Sequence, residues 1–131
     1  MKKLIFSLII LFSIPFSSLA QEKCTQYKDG IFRLRDPESN AVYNIERRGN
    51  RQYEELVGRD FKVEFEVNWL SDCIYMLTPT KEAAEFLKVK ADFNLIVEII
   101  EIKEKSLVLK MHMKDIQNSD MTVEVEIITP I

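Results

Sequence analysis

The chain has 131 residues, with 18 lysines and arginines against 21 acids and a formal net charge of −3. That length suits one small domain. The acidic balance argues against nucleic acid, whose phosphates need a basic face, and the single histidine excludes a multi-histidine metal site within one chain.

Residues 1–20 read as a secretory signal peptide. Lys2 and Lys3 form a short positive start, Leu4 to Phe16 is almost wholly apolar, and Ser17-Ser18-Leu19-Ala20 ends in small residues. The expected cut follows Ala20 and leaves residues 21–131 as a single β-rich domain. The apolar run is too short for a resident membrane span. The expected location is therefore outside the cytoplasm, in the periplasm or beyond the cell, with no stable membrane span after cleavage. Loss of the two lysines takes the net charge to about −5. The excess is uneven: acids and bases balance at eight each from Gln21 to Asp60, but stand at thirteen to eight from Phe61 to Ile131.

Cys24 and Cys73 are the only cysteines. An even pair in an exported protein is read first as a disulfide. A lipid-bearing cysteine would be the first mature residue, and Cys24 lies beyond that point. A redox pair lacks the Cys-x-x-Cys spacing.

The rest reads as strands. Gly30 to Arg35 is followed by the turn cluster Asp36-Pro37-Glu38-Ser39-Asn40. Ala41 to Arg48 and Arg51 to Val57 flank Gly49-Asn50, which fits a type II′ hairpin turn. Phe61 to Trp69 is the clearest strand, with Phe61, Val63, Phe65, Val67 and Trp69 on one face and Lys62, Glu64, Glu66 and Asn68 on the other. Cys73 to Thr78 is a strand ended by Pro79. Thr80 is placed to cap a short helix over the helix formers that follow, to Lys88. Phe93 to Lys103 is a strand whose phase slips near Ile100-Glu101-Ile102, the sign of a β-bulge. Ser106 to Met113 and Met121 to Thr129 complete the set.

About eight short strands joined by tight turns predict an all-β fold, an antiparallel meander with one short helix. It would form a lipocalin-like up-and-down barrel or a curled half-barrel. An open curled sheet with the helix on one face is the alternative.

Four groups of residues are candidates for function. Arg47, Arg48 and Arg51 surround the Gly49-Asn50 turn; like charges opposed across a hairpin repel, and an anion or a partner's acids would relieve them. The competing reading pairs them with Glu46, Glu54 or Glu55. Phe32, Phe61, Phe65, Trp69, Tyr75 and Phe93 are a large aromatic allotment that either lines an apolar pocket or fills the core. Met111-His112-Met113 has soft ligands for copper, but both methionines continue the core stripe of Leu107 and Leu109 while His112 points away, so no metal is expected. The carboxylate pairs Glu64 and Glu66, Glu98 and Glu101, and Glu124 and Glu126 read as solvated faces that aid solubility. No catalytic motif is present and no cofactor is implied.

At Cys24-x5-Gly30-x-Phe32 and at Val67-x-Trp69-x2-Asp72-Cys73-x-Tyr75-x-Leu77 the chain resembles small secreted β-rich proteins of Bacteroidota. The resemblance implies secretion and a compact β domain, and brings no established activity. The expectation is a non-enzymatic binding or interaction module of the cell envelope, contacting an unknown protein partner. The alternative is a carrier of a small apolar ligand in a barrel cavity.

Overall fold

The computed structural model describes residues 23–130; the expected signal peptide at residues 1–20 lies outside the described residues. Eight antiparallel strands among them close into a barrel in chain order. They are β1 (Gly30–Arg35), β2 (Val42–Arg48), β3 (Arg51–Leu56), β4 (Lys62–Trp69), β5 (Ile74–Pro79), β6 (Leu95–Ile102), β7 (Ser106–Met113) and β8 (Met121–Pro130). Helix α1 (Lys81–Leu87) sits between β5 and β6. Pairing of β1 with β8 closes the ring and leaves no strand edge exposed.

Period-two alternation makes the wall one-sided. On β4, Val63, Phe65 and Val67 are buried while Lys62, Glu66 and Asn68 are exposed. Phe32, Val97, Leu107 and Val125 are the most deeply buried large side chains, and they come from four different strands. Burying such side chains contributes roughly 1.5–3 kcal/mol each, the main favourable term in a domain this small.

Two register shifts interrupt the ring, one in the β6–β7 pair and one in the β8–β1 pair. On β6 the pairing steps from Ile99↔Leu109 to Glu101↔Val108, and Ile100 is the extra residue. On β8 it steps from Thr129↔Ile31 to Ile127↔Phe32, and Ile128 is extra. Each bulge leaves two successive residues outside, Ile100 with Glu101 and Ile128 with Thr129, and Ile100 is 48% and Ile128 37% exposed. The first bulge also restores the inward phase, so that Ile99 and Ile102 both reach the core. The slip at residues 100–102 was legible in the sequence; the bulge at Ile128 was not, because apolar Ile127-Ile128 has no phase of its own. Bulges bend strands and increase their twist, which a ring of eight requires.

The hairpin tip follows its sequence. Arg48 pairs with Arg51 across a two-residue loop, and of the two loop residues Gly49 alone takes a positive φ, +60°, as a type II′ turn requires. Helix α1 is capped by Thr80, whose hydroxyl accepts from the Ala83 amide at 3.2 Å, and it ends at Lys88 in the left-handed conformation. Ala83 and Ala84 are buried against β4 and β5, and Phe86 stacks on Phe61 at 4.7 Å between ring centroids. Phe61 and Phe93, expected as strand residues, precede β4 and β6.

The chain before β1 crosses one end of the barrel. Cys24 is bonded to Cys73, 49 residues on. The Asp29 carboxylate accepts from the Gly49 amide at the β2–β3 tip (2.9 Å), and Lys28 reaches Asp72 (3.6 Å) and the face of Trp69. Replacing both cysteines by serine is expected to lower the unfolding free energy by roughly 4 kcal/mol, the loop-closure entropy of a ring this long. Denaturant titration reads the loss, and far-ultraviolet circular dichroism is expected to keep its strand signal under native conditions.

Candidate functional site

The barrel is not solid. A cavity of about 150 Å³ lies inside it. Its wall is mostly aliphatic, with Leu77, Val97, Leu109 and Val125 among the contributors. The lining grades along the barrel. Phe32, Tyr75, Leu107 and Val125 are buried at the end crossed by residues 23–29, whereas Leu34, Leu95, Met111 and Val123 are half-buried at the other. The cavity therefore opens toward the end that carries loops 36–41 and 114–120, with α1 over the β4–β5 side.

A polar cluster lies at the closed end. A two-residue hairpin loop that pairs Arg48 with Arg51 also pairs Arg47 with Gln52. Alternation then turns Ile45 and Arg47 of β2, and Gln52 and Glu54 of β3, into the barrel. Arg47 is 2% exposed. It donates from Nε to the Lys28 carbonyl (2.6 Å), from Nη2 to the Tyr27 carbonyl (2.8 Å) and from Nη1 to Gln52 Oε1 (2.9 Å). Its guanidinium carbon lies 4.5 Å from the Tyr75 ring centroid, 5.0 Å from Phe32 and 5.4 Å from Trp69. A delocalised cation suits that setting, because its faces stack on rings while its edge donates.

Gln52 passes the polarity on. Its Nε2 donates to Glu54 Oε1 at 3.2 Å. Burial pushes the Glu54 carboxyl above the usual carboxylate range, opposed by the hydrogen bond from Gln52. Burial likewise raises the Tyr75 phenol, against the pull of Arg47.

The structure separates the three arginines of the hairpin. Arg47 points inward, while Arg48 and Arg51 point outward and pair with Glu46 (3.0 Å) and Glu66 (3.3 Å). Of the six aromatics considered for a pocket, Phe32 and Tyr75 line the cavity and the other four do not. Phe65 is buried core, and Trp69 packs on Tyr75 and Arg47 at the closed end. Phe61 is held by α1, and Phe93 lies in the loop before β6. Met111 lines the cavity beside Leu109, continuing the core stripe. Among the described residues no group of three or more histidines, cysteines and acids is placed to hold a metal. The outward carboxylates are ion-paired in part, Glu66 with Arg51 and Glu124 with Lys103.

Gln52 and Glu54 are inward residues that hydropathy alone does not mark. The signal was present: the Gly49-Asn50 turn sets the register, and the parity of Ile45 then places Arg47, Gln52 and Glu54 on its face.

Two outcomes follow from this cluster. Arg47→Met leaves two carbonyls and the Gln52 oxygen without their donor, and is expected to cost on the order of 3 kcal/mol in a denaturant titration; Arg47→Lys, with no planar fork, is expected to recover little of it. Glu54 titrates higher folded than unfolded, so its contribution is fully present below its ordinary value near 4.5 and is lost as pH rises through the folded value. Glu54→Gln removes that loss. Its melting temperature is expected to gain on the parent as pH rises from 4 to 8, and parallel curves across the range would refute the assignment.

No protein-family model matches the chain, and no curated protein or solved structure matches it, so its function is argued from the barrel interior.

Proposed function

We propose that this chain is an exported, non-enzymatic binding protein of the cell envelope, and that its barrel carries a small apolar molecule. The observation that carries this reading is the cavity of about 150 Å³ among aliphatic and aromatic side chains, opening at one end. Largely apolar cavities of that size take up ring-sized hydrocarbons, and eight-stranded barrels are just wide enough to hold one small ligand. A ligand of roughly six to ten non-hydrogen atoms fits. Export is supported by the character of residues 1–20 and by the Cys24–Cys73 bond, which persists in oxidising compartments. Among the described residues no helix is long and apolar enough to cross a membrane.

Recognition of a protein partner through the arginine hairpin has weaker support. Arg48 and Arg51 already have carboxylate partners, and Arg47 is withdrawn into the barrel.

The test is uptake of toluene followed by methyl NMR. Shifts are expected on Val97, Leu109 and Val125, which line the cavity. Val123→Trp, at the half-buried end of the lining, is expected to abolish them without unfolding the barrel. Absence of any shift in the parent protein at saturating toluene would overturn the proposal.

A further inference from the structure

Building on the carrier reading, we infer that the molecule in the cavity is a small apolar amine, and that the Glu54 carboxylate receives its ammonium group. The polar groups still open to a ligand set its chemistry.

Four polar side chains come together at the closed end of the cavity: Arg47, Gln52, Glu54 and Tyr75. Arg47 is the group that would suggest an anion, such as a short fatty acid. Three of its five N–H groups are already committed, to the Tyr27 and Lys28 carbonyls and to Gln52, and three aromatic rings crowd its faces. An incoming carboxylate would find only the two remaining N–H groups, on Nη1 and Nη2 beside those rings, and would meet the Glu54 carboxylate in the same cavity. Gln52 is 2% exposed and uses both ends of its amide, accepting from Arg47 and donating to Glu54. Tyr75 lays its ring against the Arg47 guanidinium, 4.5 Å from centroid to guanidinium carbon, and burial keeps its phenol un-ionised, so it offers a ligand no charge.

Glu54 differs from all three. It is half-buried, lines the cavity, accepts one hydrogen bond and has no ion pair among the described residues. Gln52 stands between it and Arg47, so the buried cation does not neutralise it directly. An ionised carboxylate only accepts, with about four lone-pair sites on two oxygens. One site is filled by Gln52, and the rest of the wall is aliphatic. A buried charge of that kind is costly until something donates to it. A ligand that brings an ammonium to Glu54 and an apolar body to the aliphatic wall satisfies both at once. A ligand ending in a carboxylate meets a like charge instead.

The experiment is a calorimetric titration of the purified protein at neutral pH with four molecules of one shape: toluene, benzyl alcohol, benzylamine and benzoate. Benzylamine is expected to bind at least about tenfold more tightly than benzyl alcohol, the scale of one hydrogen bond to a charged group, and benzoate is expected not to bind. Glu54→Gln is expected to bring benzylamine down to the level of benzyl alcohol. Glu54→Asp keeps the charge on a shorter arm and is expected to retain part of the preference. If toluene binds but benzylamine is no tighter than benzyl alcohol, or benzoate is the tightest, the amine inference falls and the carrier reading stands. If none of the four binds, both fall.

Discussion

Arg47 holds the closed end of the barrel together. Three of its donors go to the Tyr27 and Lys28 carbonyls and to Gln52, and its faces lie against Phe32, Tyr75 and Trp69. An eight-stranded barrel is open at both ends unless something covers them. Here the segment before β1 covers one, and its backbone carbonyls must find donors once they leave water. A planar cation with donors along its edge can serve two adjacent carbonyls and stack on rings in the same place. The disulfide to Cys73 and the ion pair from Lys28 to Asp72 tether the same segment from its margins. Without the arginine, those tethers would hold a strap whose inner carbonyls face an apolar interior.

That arrangement gives the cavity its direction. The plugged end is dense with aromatic rings and polar links, and the other end is aliphatic and more exposed. Gln52 carries the polarity from Arg47 to Glu54, one inward position further along β3. Glu54 is thus the point at which the polar network meets the empty volume. Buried polar networks rigidify a site when every member is satisfied. This one is satisfied up to its last member, which is why the unfilled acceptor capacity of Glu54 bears on what the barrel holds.

The outer surface fits the same division of labour. Arg48 pairs with Glu46 on its own strand, and Arg51, Lys103 and Lys110 pair with acids on other strands or loops. Such exposed pairs add little stability. They keep the strand faces wet and mixed in charge, and they leave the barrel interior as the chemically distinctive part of the molecule.

Strand number, the short helix with its Thr80 cap, the Gly49-Asn50 turn and the bulge at residues 100–102 were all legible in the residues, because each depends on neighbours in sequence: alternation, turn chemistry and a local slip in phase. The pairing of Cys24 with Cys73 was legible by elimination, since no third cysteine competes. Closure of β1 on β8 was decided in three dimensions, because it depends on accumulated twist and on the bulges of β6 and β8. The chemistry of the site was decided there too, although its inward positions follow from the hairpin register. On β3 neither face is apolar: Gln52, Glu54 and Leu56 alternate with Arg51, Tyr53 and Glu55. Hydrophobicity therefore cannot say which side is inside. The register inherited from β2 decides it, and burial then converts an ordinary arginine and glutamate into a plug and a cavity acceptor.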